Sequence, residues 1–341
     1  MSLIAPALVA ALASPAGALA ASALGITAGL AAFSGLLGWL ANRAVPPRGT
    51  FVAVGAERVH CLEAGSGPPL LLIHGLGGQM GNFTCALMPL LARHFRVIAF
   101  DRPGSGHSSR APGADAGVVA QAEAVSQLIT ALGLQQPLVV GHSLGGAIAL
   151  ALALNHPEQV RGLALIAPLT QPETEAPAPF KLLAIRSAAL RRLVAWTLAT
   201  PLALLRGTAV VKAIFAPDTP PSDFAIRGGG LLTLRPGNFI HASEDMGGTE
   251  ADLPRMVPRY RSLQVPVSIL FGRGDQILDP QRHGGLFGQQ DRQAVVELVD
   301  GGHMLLVSAA AVTADFIRRA ALREPGPPPA PTAAAAPAVE H

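Results

Sequence analysis

Residues 139–150 read VVGHSLGGAIAL, a stretch in which an apolar run passes into a helix of small residues through GHSLG at 141–145. A serine in an ordinary loop needs no glycine on either side. A serine in a sharp strand-to-helix turn does, because glycines relieve crowding there. The stretch therefore predicts a strand, a tight turn that exposes Ser143, and a helix whose positive end points at that turn.

The composition provides ample apolar material for a large folded core. Of the 341 residues, 50% are hydrophobic and 14% are charged. The 25 basic residues are dispersed and give a net charge of +3, so no stripe for nucleic acid forms and no nucleic-acid partner is expected. Cys61 and Cys85 give neither a disulfide framework nor a metal-site spacing. They are interpreted as small buried side chains, and no metal or cofactor is expected.

A long apolar stretch, residues 16–41, follows an apolar segment at residues 1–15. About 20 apolar residues suffice to span a bilayer, whereas the apolar part of a secretory signal has about 7–15 residues. The stretch is therefore predicted to be a single transmembrane helix, with signal cleavage as the alternative. Arg43 and Arg48 follow it and no basic residue precedes it, so the main domain is expected on the cytoplasmic side.

The middle of the chain alternates apolar runs with helical patterns. This rhythm predicts an α/β fold with a mostly parallel eight-stranded sheet and helices on both faces. The eight runs begin at residues 51, 58, 69, 95, 137, 160, 265 and 294. Residues 168–263 interrupt the rhythm and are predicted to form an inserted helical cap between core segments 42–167 and 264–320. The Pro/Ala-rich residues 321–341 are predicted to be a disordered tail.

Glycines and reactive side chains follow four of the apolar runs. They are HGLGG at 74–78, GHSLG at 141–145, GRGD at 272–275 and GGH at 301–303. In open α/β sheets ligands bind beyond the carboxyl ends of the strands, so these groups are expected to meet at one rim. A serine becomes a nucleophile when a histidine, oriented by a carboxylate, takes its proton. Ser143, His303 and Asp275 are therefore the candidate nucleophile, base and orienting acid.

Other polar residues near these motifs are interpreted as structural. His142 is expected to pack at the turn and His74 to hold the glycine-rich loop at 74–78. Asp101 and Arg102 are expected to form a structural turn.

Asp279 is a rival to Asp275 for the role of the orienting carboxylate. It precedes Pro280, and a residue before proline is biased toward extended backbone. Since Pro280 can open the next helix, Asp279 is expected to cap that helix instead.

The ordered motifs resemble those of the α/β-hydrolase superfamily, in particular its serine esterases and lipases. GHSLG matches G-x-S-x-G, the order Ser143, Asp275, His303 matches the family order, and HGLGG resembles the oxyanion loop. DRPGSGHSS at 101–109 resembles the loop after the family's fourth strand. The resemblance covers about residues 51–320. It implies a cap before Asp275 and an oxyanion hole formed by the backbone N–H groups of Leu76 and Leu144.

The resemblance implies a serine hydrolase that cleaves carboxylic esters through an acyl-enzyme, and the apolar stretch at 16–41 makes it a membrane-anchored one. The apolar composition of the expected cap favours an apolar or lipid-like acyl chain. Hydrolysis of carbon–carbon bonds and cofactor-free perhydrolase or haloperoxidase chemistry occur on the same fold and stay open. A membrane-tethered binding or accessory protein is the alternative from another class. The sequence gives no indication of the oligomeric state.

Overall fold

The computed structural model describes residues 14–323 and is built around one eight-stranded sheet. The strands are β1 (Thr50–Val54), β2 (Glu57–Ala64), β3 (Pro69–Ile73), β4 (Arg96–Phe100), β5 (Leu138–His142), β6 (Gly162–Ile166), β7 (Val267–Gly272) and β8 (Val295–Val299). Their spatial order is β1-β2-β4-β3-β5-β6-β7-β8. Strand β2 runs antiparallel to β1 and β4, and all other neighbouring strands are parallel. Each predicted apolar run forms one strand, so the predicted sheet is confirmed.

Helices cover both faces of this sheet. They are α1 (Pro15–Ala44), α2 (Gly81–Thr84), α3 (Met88–Leu91), α4 (Val118–Ala131), α5 (Leu144–Asn155), α6 (Ala188–Val194), α7 (Thr200–Phe215), α8 (Phe224–Arg227), α9 (Pro236–Met256), α10 (Leu286–Gln290), α11 (Leu305–Ser308) and α12 (Ala310–Ala321). Single 3₁₀ or π turns occupy Pro157–Gln159, Ala178–Leu183, Ala195–Ala199, Gly230–Leu234, Val257–Ser262 and Gln281–Gly285.

The central strands are apolar on both faces because helices cover both. In β3, Leu71 and Ile73 pack into the cluster beneath α4 and α5, while Leu70 and Leu72 pack into the opposite cluster beneath α3 and α12. Successive side chains of a strand point to opposite faces, so a strand buried on both reads as a continuous apolar run. This is why the strands could be recognised in the sequence without an alternating pattern.

The cap, residues 168–263, contains helices and turns and joins β6 to β7. Helices α6 and α7 run on through the π turn between them as one apolar helix, Ala188–Phe215, whose most apolar 18-residue stretch has a mean hydropathy of 1.5. Unlike that helix, the C-terminal end of the cap packs into the main core, where Met256 and Tyr260 are buried. The Tyr260 hydroxyl donates to the Thr170 carbonyl at 2.8 Å. The cap is thereby fastened to the core at both of its ends.

Helix α1 contains the predicted membrane segment and is 30 residues long, and its most apolar 18-residue stretch has a mean hydropathy of 1.7. It is long and apolar enough to cross a membrane, but it continues to Ala44 and its last third is packed against protein. Ser34, Gly38 and Ala41 are buried, and a Cβ built on Gly38 would lie 3.5 Å from the Arg235 Cα of the cap. Residues 1–13 of the predicted N-terminal apolar segment lie outside the described residues.

The predicted tail at 321–341 begins too early by three residues. Helix α12 extends to Ala321. The Arg323 guanidinium donates to the Gln293 carbonyl at 2.7 Å and to the Ser268 hydroxyl at 3.0 Å, so it fastens the chain beside β7. Sequence reasoning missed this because composition does not reveal a single docked arginine. Residues 324–341 lie outside the described part.

Candidate active site

Ser143 occupies the turn between β5 and α5 in a strained backbone conformation. Its φ of 54° and ψ of −121° lie in a region that residues with a side chain rarely adopt. Such strain costs on the order of 1–3 kcal/mol and persists only where the surroundings enforce it. Within the described residues the Ser143 hydroxyl makes no hydrogen bond, and it lines two cavities beneath the cap. The turn presents the hydroxyl to a ligand.

The two glycines of GHSLG are required by close backbone contacts. A Cβ on Gly141 would lie 2.5 Å from the Gly145 carbonyl oxygen, and a Cβ on Gly145 would collide with the carbonyl oxygens of Ile73 and His74. The strand, the turn and the helix therefore approach one another so closely that neither position has room for a side chain. These close contacts explain why a glycine is needed on both sides of Ser143.

Gly145→Ala is expected to destabilise the fold by about 3 kcal/mol or more, because the new methyl group meets backbone atoms that cannot rotate away. Gly237→Ala in α9 is the matched control, since a Cβ there meets no atom within 4 Å. Thermal melts of both variants test this expectation. Equal melting temperatures for the two variants would contradict it.

His303 and Asp275 come from the loops after β8 and β7 and lie in contact. His303 Nδ1 is 2.8 Å from Asp275 Oδ2, and both side chains are almost completely buried. The other carboxylate oxygen, Oδ1, accepts from the N–H groups of Ile277 and Leu278 at 2.8 and 3.0 Å. His303 also lines the larger of the two cavities, together with Ser143. The Asp–His pair is formed, and the serine shares a cavity with it.

Asp279 lies four residues beyond Asp275 and has a different environment. It is exposed, and its Oδ1 accepts from the backbone N–H of Arg282 at 2.8 Å. This is the contact expected of a residue that caps the following helical turn. The two candidate carboxylates therefore have different partners in the structure. Asp275 contacts His303, and Asp279 contacts a backbone N–H group.

Two backbone N–H groups beside Ser143 lack an acceptor within residues 14–323. They belong to Leu76, in the glycine-rich loop after β3, and to Leu144, the first residue of α5. The loop crosses directly over the serine, since a Cβ on Gly75 would lie 2.9 Å from the Ser143 Cβ. Two unpaired donors beside one hydroxyl can bind an oxygen that acquires negative charge.

The two histidines that precede these motif residues are buried and packed. His74 Nδ1 contacts the Gly75 carbonyl at 2.9 Å and its Nε2 accepts from the Arg102 N–H at 3.0 Å. Burial lowers the pKa of His74 to about 3, which keeps the ring neutral. His142 Nε2 lies 3.1 Å from the His303 carbonyl, and burial holds the pKa of His142 well below its usual range. Both act on the backbone of the site, as the sequence indicated.

Asp101 also has the structural surroundings that were expected. Its carboxylate accepts from the backbone N–H groups of Met80 and His107, each at 2.8 Å. It lies 2.8 Å from His60 Nδ1 as well. Asp101 thus connects β2, the start of α2 and the loop after β4 through hydrogen bonds.

Arg102 has a wider role than a turn residue. Its guanidinium is buried and donates to the carbonyls of His74 and Gly75 at 3.1 and 3.0 Å. It also contacts Asp245 of α9 at 2.8 Å. Sequence reasoning missed Asp245, which lies 143 positions away in a polar helix where no pattern distinguishes a buried carboxylate from an exposed one.

Two apolar cavities meet at Ser143 beneath the cap. The smaller has a volume of about 340 Å³ and the larger about 580 Å³. The smaller is lined by Leu169, Leu253, Ile277 and Leu278, and the larger by Leu202, Val210, Val211 and Ile214. Leu76, Phe180 and Leu183 line both. A molecule with apolar groups on both sides of a reactive centre fits this shape.

Comparison with known proteins agrees with the fold. A family model of the alpha/beta hydrolase fold matches residues 68–213. The 2-hydroxymuconate semialdehyde hydrolase of Pseudomonas sp. (strain CF600) is 37% identical over 123 residues, covering 36% of this chain and 44% of that protein. An enol-lactonase structure from Burkholderia xenovorans LB400 covers 80% of this chain and 100% of its own, with a TM-score of 0.65 and 19% identity. A bacterial membrane phospholipase A structure covers 95% and 100%, with a TM-score of 0.60 and 24% identity.

The family match, the sheet order and the strand–turn–helix around Ser143 define the class of protein. This chain has the α/β-hydrolase fold, and its residues 68–213 match the family model. The chain spans less than half the length of the first curated relatives it matches, between 35% and 44%. The structural neighbours, at 19% and 24% identity, share the fold with it.

Proposed function

We propose that this protein is a serine hydrolase that cleaves carboxylic esters through an acyl-enzyme. The observation that carries the proposal is the placement of Ser143. Its hydroxyl stands on a strained turn, in one cavity with His303, beside two backbone N–H groups that have no acceptor within residues 14–323. A nucleophile, a base with a bound carboxylate and oxyanion donors are the groups that acyl transfer needs.

In the first half of the proposed reaction, the Ser143 oxygen attacks the ester carbonyl carbon. His303 Nε2 takes the hydroxyl proton, and Asp275 holds the imidazolium through Nδ1. The carbonyl oxygen becomes an oxyanion and accepts from the N–H groups of Leu76 and Leu144. The bond to the alcohol oxygen then breaks, and His303 returns the proton to the leaving alcohol.

In the second half, water releases the acyl group. His303 takes a proton from water, whose oxygen attacks the acyl carbon and forms a second oxyanion in the same hole. The bond to the Ser143 oxygen breaks, the acid leaves, and the proton returns to the serine. His303 thus acts as base and as acid in each half.

The walls of the two cavities support an apolar or lipid-like ester as the substrate. Most of the lining surface of both cavities is apolar, although charged side chains such as Glu173, Arg186 and Glu250 also line the smaller one. Of the solved neighbours, the two described above are named for action on a lactone and on a phospholipid, whereas another is named as a 2-hydroxy-6-oxo-6-phenylhexa-2,4-dienoate hydrolase. An acyl chain in one cavity and an alcohol group in the other would place the ester carbon at Ser143.

Hydrolysis of a carbon–carbon bond is the second candidate, and the name of the 2-hydroxymuconate semialdehyde hydrolase favours it. Such reactions begin with a ketone rather than an ester, so substrates distinguish the two. Perhydrolase or haloperoxidase activity and a non-catalytic binding role are further alternatives on the same scaffold.

The test is a panel of p-nitrophenyl esters with acyl chains of 2 to 16 carbons, run beside a dienol-ketone substrate and a fluorophosphonate probe. We expect probe labelling, ester turnover that rises from acetate toward medium chains, and little cleavage of the ketone. Faster cleavage of the ketone would establish carbon–carbon hydrolysis instead. Absence of both labelling and turnover would favour the binding role.

The proposal includes attachment to a membrane through α1. Most of the residues of α1 before Ser34 are exposed, and a second exposed apolar surface lies on Ala188–Phe215 of the cap, where Leu193, Trp196 and Leu205 reach solvent. Large contiguous apolar surfaces exposed on a protein usually mark sites of contact with a membrane or partner. We assign the catalytic domain to the cytoplasmic side, on the basis of Arg43 and Arg48.

We expect the protein to stay in the membrane pellet after a carbonate wash, because the exposed apolar residues 15–33 of α1 are almost as many as the roughly 20 that span a bilayer. The measurement is immunoblotting of pellet and wash from cell membranes, with mass spectrometry of the N-terminus. A shortened protein in the wash would show signal cleavage and contradict the anchor. Protease treatment of sealed vesicles, in both orientations, tests the side of the membrane.

A further inference from the structure

The peptide group between Gly75 and Leu76 is held by its carbonyl. The Gly75 oxygen accepts from the Gly78 N–H at 3.2 Å and from Arg102 Nη2 at 3.0 Å, and His74 Nδ1 lies 2.9 Å away. His74 Nδ1 is the donor in this contact, because its Nε2 accepts from the Arg102 N–H. Three donors thus converge on one carbonyl oxygen.

A peptide group is planar and trans, so its C=O and N–H point in opposite directions. Fixing the Gly75 carbonyl therefore fixes the direction of the Leu76 N–H. That N–H has no acceptor in the described part of the chain, and Leu76 lines both cavities beside Ser143. If the peptide rotated by half a turn, a carbonyl oxygen would replace the donor and repel the oxyanion.

Arg102 is the one charged group among the three donors. Its guanidinium makes a planar set of contacts, with Nε on the His74 carbonyl, Nη2 on the Gly75 carbonyl and Nη1 on the Asp245 carboxylate. The side chain is 1% exposed. Since the guanidinium is rigid, holding one edge of it determines where its other N–H groups point.

Asp245 belongs to the cap, and it holds that edge. It lies in α9 between Ser243 and Met246, which line the smaller cavity. Its Oδ2 contacts Arg102 at 2.8 Å, and its Oδ1 contacts Arg110 at 2.5 Å. The cap wall of the cavity and the peptide over the nucleophile are therefore joined through one buried ion pair.

We propose that Arg102 is a positioning residue for the oxyanion hole and that Asp245 makes its action depend on the seating of the cap. The proposal rests on the proposed ester hydrolysis. A cap displaced at α9 would remove the charged partner of Arg102 Nη1 and leave Gln121 of α4 as its remaining acceptor. The guanidinium, and with it the direction of the Leu76 N–H, would then be held less firmly. Catalytic competence is then coupled to the position of the cavity wall.

Arg102→Gln and Arg110→Gln form a matched pair that tests this proposal. Both remove a buried guanidinium that binds Asp245, with side-chain exposures of 1% and 2%. Only Arg102 reaches the loop over Ser143. We expect Arg102→Gln to lower kcat for p-nitrophenyl butyrate by about 10²-fold, the effect of losing one oxyanion donor, with KM little changed. Arg110→Gln should keep kcat close to that of the parent while losing similar thermal stability.

A second readout distinguishes the oxyanion hole from a general loss of structure. A trifluoromethyl ketone forms a tetrahedral oxyanion with the serine and depends on the hole, whereas KM for the ester reports ground-state binding. We expect Arg102→Gln to weaken inhibition by the ketone about as much as it lowers kcat. Arg102→Lys should fall between, because one ammonium cannot serve both the carbonyls and Asp245. Asp245→Asn provides the same test if Arg102→Gln does not fold, with a smaller loss of kcat at constant KM.

A crystal structure of the Arg102→Gln variant tests the inference without a substrate. We expect the Gly75–Leu76 peptide to be rotated or present in two orientations. A parent-like peptide together with equal kcat in the Arg102 and Arg110 variants would overturn the inference and leave ester hydrolysis standing. A rotated peptide in a protein whose parent neither labels nor hydrolyses esters would support the positioning role and refute the proposed function.

Discussion

Replacing Ser143 with alanine is expected to lower kcat for p-nitrophenyl esters by about 10⁶-fold and to abolish fluorophosphonate labelling. The fold should be retained, because alanine keeps the Cβ that already packs against Gly75 and removes a hydroxyl without hydrogen bonds in residues 14–323. Residual turnover of about 10³–10⁴-fold over water can persist from the oxyanion donors and substrate binding. The measurement is kcat, labelling and melting temperature of the parent and variant side by side.

Ser105 and Ser108, in the glycine-bearing loop after β4, provide the control. Each is only 8% exposed, and the Ser108 hydroxyl donates to the Asp101 carbonyl at 2.6 Å. Ser105→Ala is therefore expected to label like the parent. Persistent labelling in Ser143→Ala that disappears in Ser105→Ala or Ser108→Ala would reassign the nucleophile.

Replacing Asp275 with asparagine is expected to lower kcat by about 10⁴-fold, as in a well-studied triad. The structure gives the reason. The N–H groups of Ile277 and Leu278 need an acceptor at Oδ1, so the asparagine oxygen stays there and its amide nitrogen faces His303. His303 must then present an unprotonated Nδ1, which places its proton on Nε2 and prevents it from accepting the serine proton.

Asp279→Ala is the matched control for that experiment. It removes a carboxylate four residues away that caps a helical turn through the Arg282 N–H. We expect a loss of about 1 kcal/mol of stability and an unchanged kcat per folded molecule. Turnover and thermal melts of both variants decide the assignment. A large loss of kcat in Asp279→Ala with a normal Asp275→Asn would reverse it.

The sheet and the candidate site could be predicted from the sequence because their signals are local. A strand buried on both faces is a run of leucine and valine, as at β3 and β5, and GHSLG contains the close contact in five consecutive residues. Asp275 and His303 follow strand ends, so the topology of a parallel sheet brings them to one rim.

The contacts between the cap and the core could not be predicted in this way. Arg102 and Asp245 meet across 143 positions, and neither lies in a periodic pattern that indicates burial. The packing of α1 is similar, because small residues such as Ser34 and Gly38 look the same facing lipid or protein. These contacts depend on how two segments dock, which needs the three-dimensional arrangement.

If α1 anchors the protein as proposed, the packed end of α1 also sets how deep the protein can sit in a bilayer. Residues 15–33 precede the first buried position, Ser34, and an α-helix rises 1.5 Å per residue, so they extend about 29 Å. The hydrocarbon core of a bilayer is about 30 Å thick. In a membrane-anchored protein the cap would then lie directly against the membrane surface. The length of the helix would fix the distance between the cap and the bilayer, which a flexible linker would not do. Deleting the residues that precede residue 33 should leave the cap covered by the packed end of α1. Deleting the chain through residue 45 should expose the cap surface against which α1 packs.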